Sequence, residues 1–216
     1  MEKKKVAIYG ASGFGRELYG LIELCGQYEV ICFIDDDASK SDSNIYDIPV
    51  MDLDAACKRY HNFSLVGGVG NPKVREILMN KISAAGVGFV QVVHPSVEMF
   101  KNIDIGKGVV ICGGCILTTD IVLGEHVQIN LSCTIGHDVI MGDYTTLAPG
   151  VHVSGWVHFG KRVYVGTGAV IINGTQEKPL IINDDAVIGA AACVTKSVPV
   201  GQTWVGVPAR AIKPSK

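Results

Sequence analysis

A single regularity limits what this chain can fold into: a large apolar residue recurs every six positions. Positions 105, 111, 117, 123, 129, 135, 141, 147, 153, 159, 165 and 171 are Ile, Ile, Leu, Leu, Ile, Ile, Met, Leu, Val, Phe, Val and Ile. Glycine follows six of them, at 106, 124, 136, 142, 160 and 166. The position four after each is small or β-branched, from Val109 and Cys115 to Ala169 and Thr175. The phase slips by one residue near Asn173–Leu180 and resumes with Ile182, Ile188 and Val194. A period of six excludes an amphipathic helix, whose period is about 3.6. Units this short bury an apolar face only by stacking, which predicts a solenoid. Three units, each a short strand and a turn, close a triangular coil, so residues eighteen apart stack at roughly the 4.8 Å strand spacing. Residues 105–198 then make about five coils.

Residues 1–95 follow a different grammar, alternating strands and helices. Strands are expected at Lys4–Tyr9, Val30–Ile34, Leu65–Val69 and Phe89–Val93, with helices at Gly15–Cys25, Asp52–Arg59 and Lys73–Ala85. In the last helix, apolar residues at 74, 77, 78 and 82 have the spacing of a buried stripe. Such alternation implies a Rossmann-like α/β domain, a parallel sheet covered on both faces. The expected boundary separates 1–95 from 96–216.

Composition excludes several classes. The 216 residues carry 19 Lys+Arg against 21 Asp+Glu, a net −2, which argues against a nucleic-acid or anionic-membrane surface. The longest stretch free of acidic and basic side chains, 144–160, contains two histidines and several Gly, Ser and Thr, so no membrane span is expected. Met-Glu-Lys-Lys-Lys runs into a short strand rather than a secretory core, and the seven cysteines are an odd number. Reduced thiols in the cytoplasm are the expectation.

Two places carry chemistry. Gly10-x-x-Gly13-x-Gly15 follows a strand and opens a helix, pointing backbone N–H groups at an anion, usually a phosphate. Asp35, at the end of the second strand, is placed to take a ribose hydroxyl. This reads as a nucleotide site. About 90 residues before the solenoid are fewer than two mononucleotide halves need, which disfavours NAD. His137 lies two places after Ile135, in a turn, with Asp138 beside it to orient the imidazole, the arrangement of a general base. Eighteen residues on stands Gly155, which leaves room beside the ring and offers a backbone amide as an oxyanion donor. His126, His137, His152 and His158 lack the spacing of a three-histidine zinc site, and Cys112-Gly-Gly-Cys115 reads as packing, with Cys133 above Cys115. No metal is expected.

The register [Leu/Ile/Val]-Gly-x-x-x-x resembles that of the left-handed parallel β-helix acyltransferases. Several motifs together resemble the NeuD/PglD-like sugar acetyltransferases: Gly10-Ala11-Ser12-Gly13-Phe14-Gly15, Ile34-Asp35-Asp36, Val69-Gly70-Asn71, Ile135-Gly136-His137-Asp138 and Val205-Gly206-Val207-Pro208-Ala209-Arg210. The resemblance covers nearly the whole chain. It implies an acetyl-CoA-dependent transfer, without metal, to the amine of a nucleotide-activated deoxy amino sugar, with His137 taking the proton and Asp138 raising its basicity. It further implies that Gly13, Phe14, Gly15, Asp35, Asp36 and Gly70 contact the acceptor. Thr146, Gly155, Thr167 and Ala190 are implied to line the acetyl-CoA groove of a homotrimer. Many relatives carry His in place of Phe14, and several in place of Thr146. The rival readings are O-acetylation of a sialic-acid-type sugar, a non-catalytic nucleotide-sugar scaffold and, third, an NAD-dependent oxidoreductase.

Overall fold

The computed structural model describes residues 3–41 and 43–212. The chain divides into two compact units, Met1–Pro95 and Ser96–Lys216.

In the first unit β1 (Lys4–Tyr9), α1 (Gly13–Cys25) and β2 (Tyr28–Ile34) follow the expected order. They are succeeded by a hairpin, β3 (Asn44–Ile45) and β4 (Ile48–Met51), which sequence reading did not anticipate. Then come α2 (Leu53–Arg59), β5 (Ser64–Gly67), α3 (Pro72–Ala84), β6 (Gly88–Phe89) and β7 (Val92–Val93). The single strand expected over 89–93 is split: Val90 N–H still reaches Leu65 O, after which the chain leaves the sheet. Sheet order is β3-β4-β2-β1-β5-β6, with only the β3–β4 hairpin antiparallel. The helix boundaries have local causes. Asp52 and Asn71 cap α2 and α3 by accepting the N–H groups of Ala55 and Val74, and Gly26 ends α1 at φ +69°.

The stripe expected on α3 coincides only in part with its buried face: Ile82 is buried and Leu78 half-buried. Val74 and Ile77 are exposed, whereas Pro72, Arg75, Met79 and Ile82 face inward. Hydrophobic spacing misleads here because a cation takes a core position. Arg75 is 1% exposed, and its guanidinium donates to the carbonyls of Val69 and Gly70 at 2.8 and 3.2 Å. Burial is tolerable because those carbonyls replace water around the charge.

The second unit is a parallel coil with three strand-bearing walls. One stacks the pairs 110–111, 128–129, 146–147, 164–165 and 187–188; the next stacks 116–117, 134–135, 152–153, 170–171 and 193–194. The third stacks 122–123, 140–141, 158–159 and 181–182. Of the twelve apolar repeat positions, eleven are buried and line the interior; only Ile105, in the first coil, is partly open. Each fully buried Ile or Leu contributes about 1.5–3 kcal/mol by leaving water. The phase slip is an excursion over Asn173–Pro179, where the offset between stacked residues rises from 18 to 23.

The glycines that follow the apolar residues are required by space. A Cβ on Gly136 would lie 2.7 Å from Gly155 N, and one on Gly106 2.6 Å from Gly124 O, both in the coil above. The left-handed backbone falls two residues later, at Gly108, Gly114, Asp120, His126, Ser132, Asp138, Tyr144, Gly150, Trp156 and Arg162. Glycine is therefore dictated at the first place by a neighbour, while the second tolerates other residues at a conformational cost.

Candidate active site

His137 and Asp138 occupy the corner between the second and third walls. Asp138 adopts φ +57°, which turns its carboxylate back onto the preceding residue. His137 Nδ1 and Asp138 Oδ2 are 2.8 Å apart. A carboxylate only accepts, so Nδ1 carries a hydrogen, and in the neutral ring Nε2 presents its lone pair. The ring is about half exposed and lies beside Gly155 in the coil above, where a Cβ would come within 2.5 Å of Nε2. Gly155 O accepts from Gly174 N, while among the described residues nothing accepts from Gly155 N–H. Trp156, which sequence reading missed, stands edge-on to the imidazole with ring centroids 6.5 Å apart. Its signal was available, since residue 156 stacks on 138.

The other residues matched to an acetyl-CoA groove are not gathered at this corner. Thr167 and Ala190 stack on one another at the corner between the first and second walls, and Ala191 N–H donates to Thr167 O at 2.8 Å. Thr146 points outward on the first wall but is only 6% exposed. Of that group, only Gly155 sits with His137. One coil above it, Gly174 helps to line a cavity of about 570 Å³ with Ile172, Thr175, Lys178, Lys196 and Ser197. The excursion that forms it is closed by reciprocal backbone hydrogen bonds between Thr175 and Lys178.

In the first unit, the loops after β1 and β5 meet where strand order reverses, the usual ligand crevice of an open α/β sheet. Gly15 and Gly68 make that meeting possible. A Cβ on Gly15 would overlap Gly10 O, and one on Gly68 would lie 2.9 Å from Gly15 Cα. Gly15 is thus a packing glycine. Gly13, by contrast, has nothing within 4 Å of the place a Cβ would occupy, and the Ser12 side chain does not cap α1. The first N–H groups of α1 are thus left without a side-chain cap, next to uncrowded Gly13 and half-buried Phe14. Gly70 is equally uncrowded.

Asp35 and Asp36 are already engaged. Asp35 Oδ2 accepts from Ala11 N–H and from Lys40 Nζ, each at 2.9 Å, and Oδ1 accepts from Asp37 N–H. Asp36 Oδ1 accepts from Tyr9 Oη at 2.8 Å and Lys81 Nζ at 2.7 Å. Burial opposes both negative charges, but the lysine hydrogen bonds and their companions outweigh it and hold both carboxyls below the ordinary range. Burial, with the hydrogen bond to Asp36, pushes the Tyr9 phenol up to about 12. Lys40 and Lys81 escaped sequence reading because nothing local marks them as partners of the acid pair. Among the described residues, no group of three His, Cys, Asp or Glu side chains could hold a metal ion.

Residues 5–82 match the PglD N-terminal domain. Over 220 residues the chain is 33% identical to GDP-perosamine N-acetyltransferase of Escherichia coli O157:H7, covering 96% of each. The chain belongs to the NeuD/PglD-like sugar acetyltransferases. WeeI from Acinetobacter baumannii AYE superimposes with a TM-score of 0.90 at 36% identity, over 97% of this chain and 100% of that one. PerB from Caulobacter crescentus, solved with CoA and GDP-perosamine, gives 0.87 at 26% identity over 97% of each chain. As in this family, the second unit is a left-handed β-helix. No helix among the described residues is long and apolar enough to cross a membrane.

Proposed function

We propose that the protein transfers the acetyl group of acetyl-CoA to the amine, probed first at C4, of a nucleotide-activated deoxy amino sugar used for surface glycan. The observation that carries this reading is the His137–Asp138 pair at 2.8 Å, with Nε2 lying against a residue that has no side chain. The neutral sugar amine attacks the thioester carbonyl while Nε2 takes one N–H proton; Nδ1–H remains on Asp138, which steadies the imidazolium. The oxyanion formed is directed to Gly155 N–H. As the C–S bond breaks, the departing thiolate takes the proton from Nε2, giving CoA, an amide and neutral histidine. Similarity to GDP-perosamine N-acetyltransferases supports an amine acceptor.

The first unit is the nucleotide-holding part of this reading, with Gly13, Phe14, Gly70 and the Asp35–Asp36 loop around the phosphates and nucleoside. Acetyl-CoA lies along the second unit, and the cavity with Lys178 and Lys196 suits its phosphates. Thr167 and Ala190 stand at a different corner from Gly155, and facing corners of neighbouring copies would bring both sets along one CoA. This supports a homotrimer, which light scattering tests. Seven free thiols fit a cytoplasmic location.

The decisive experiment is thiol release from acetyl-CoA across GDP-, UDP- and dTDP-4-amino sugars. Release with one of them, and N-acetylated product by mass spectrometry, is expected. Absence of product with every nucleotide amino sugar, together with acetylation of a sugar hydroxyl, would transfer the activity to O-acetylation.

A further inference from the structure

We propose that Lys40 is a diphosphate-binding residue of the acceptor site, and that Asp35 serves it as a positioning residue rather than by taking the ribose. This deepens the nucleotide-sugar reading and rests on it.

The argument starts from one atom. Asp35 Oδ2 accepts both the Ala11 N–H of the glycine loop and the Lys40 ammonium, each at 2.9 Å. The lysine is thereby fixed beside the loop whose next residues open α1. Asp35 Oδ1 is also occupied, by Asp37 N–H at 3.0 Å. A carboxylate that braces two loops in this way has little freedom to follow a ribose. An ammonium has three donors, and the one on Oδ2 leaves others for a ligand; the side chain is 37% exposed, so a ligand reaches it.

Electrostatics points the same way. The loop after β2 places Asp35, Asp36 and Asp37 in a row, and a diphosphate approaching α1 meets their negative field. Lys40 cancels that field where the phosphates must pass: it bonds Asp35 and lies 3.9 Å from Asp37 Oδ2. Lys81 does the same for Asp36, which it shares with the Tyr9 hydroxyl, while the glycine loop's own amide bond is to Asp35, the partner of Lys40. The open space at Gly13 and the uncapped amides of α1 supply the other half of an anion cradle. A braced lysine costs less entropy on binding than a free one.

The test separates binding from bracing. The wild type is titrated calorimetrically with GDP, UDP and dTDP, and the tightest diphosphate is compared with its own nucleoside on wild type, Lys40→Met, Lys40→Arg and Asp35→Asn. Lys40→Met is expected to weaken the diphosphate roughly ten- to hundredfold, the loss of one charge-assisted hydrogen bond, with nucleoside affinity unchanged. Lys40→Arg should restore most of the diphosphate affinity. Asp35→Asn, which loosens the brace, should weaken the diphosphate and leave nucleoside affinity nearly unchanged; a matching loss of nucleoside affinity would return Asp35 to the ribose and overturn its positioning role. In turnover, Lys40→Met should raise the acceptor KM and leave kcat within about twofold, the pattern of lost uniform binding. Equal weakening of diphosphate and nucleoside by Lys40→Met, or no change in either, overturns the proposal. Failure of the wild type to bind any of the three diphosphates instead overturns the assignment of the first unit as the acceptor site.

Discussion

Two corners of the same β-helix use one backbone solution for different ends. At the corner between the third and first walls, charges are paired from coil to coil. Lys107 meets Glu125 at 3.1 Å, Asp143 meets Lys161 at 2.8 Å and accepts Glu125 N–H, and Asp184 accepts Lys161 N–H. Arg162 grips Asp185 through two bonds at 2.9 and 3.0 Å. At the corner between the second and third walls, the His137 side chain is held by Asp138 of its own turn, and the residue stacked above its ring is Gly155. Both corners hold left-handed residues at equivalent places, His126, Tyr144 and Arg162 in one and Asp120, Asp138 and Trp156 in the other. The first corner spends its side chains on each other, whereas the second keeps one nitrogen and the space beside it available. Stability and chemistry are therefore expected to respond to substitution in opposite ways at the two corners.

The largest effect should come from His137→Ala. General-base loss lowers kcat about 100- to 10,000-fold, some 3–5 kcal/mol of barrier, with little change in either KM. A half-exposed imidazole adds little to folding, so the thermal midpoint should hold. A folded variant that keeps more than about a tenth of wild-type kcat while chemistry limits the rate would remove His137 from the mechanism.

Next is Gly155→Ala. Gly155 needs no unusual backbone, but its new methyl would displace the His137 ring, and misplacement on the ångström scale costs up to about a hundredfold in kcat. Melting should again change little. A drop in stability with kcat preserved would mean that the glycine serves packing, as Gly136 does. Asp138→Asn should cost less, about tenfold in kcat, because it weakens the base without deleting it. An effect as large as that of His137→Ala would show that the carboxylate does more than orient.

The smallest and opposite effects belong to the charged corner. Arg162→Met should destabilise by about 1–2 kcal/mol, since it strips a two-bond partner from Asp185, and leave turnover unchanged. Loss of activity at 25 °C without unfolding would show that the corner is not purely structural. Asp143 adds a pH signature. Burial opposes its charge, but hydrogen bonds from Lys161 and Glu125 N–H prevail and hold its carboxyl below the ordinary range. The stability it contributes is complete at neutral pH and fades as pH falls below about 4, through its folded value. Asp143→Asn should therefore lower the melting temperature at pH 7 and close the gap to wild type toward pH 3. A gap that stays constant with pH would assign the effect to packing.

The sequence was most legible where contacts repeat. Twelve apolar positions and six glycines specify the coil because each inward residue meets a copy of its own environment eighteen residues away. The His137–Asp138–Gly155 grouping was readable for the same reason: one neighbour is adjacent in sequence and the other lies one coil on. The first unit was legible only as far as local order reaches. Its strands and helices fall near their expected places, but the β3–β4 hairpin was missed, and the apolar spacing of α3 found Ile82 while misplacing Val74 and Ile77, because it could not see the carbonyls waiting for Arg75.

By itself, then, the sequence determined the β-helix, its inward residues, the spacing of its coils and the histidine at one corner. Only the tertiary structure decided that Lys40 and Ala11 share one oxygen of Asp35, that Lys81 closes on Asp36 across 45 residues, and that Thr167 and Ala190 lie at another corner from Gly155. The physical reason is the range of the determining contact. A stacked coil converts distance along the chain into a fixed offset, so its neighbours can be counted. In an open α/β sheet, side chains meet where loops from separate strands converge, and no local pattern encodes which lysine will reach which carboxylate.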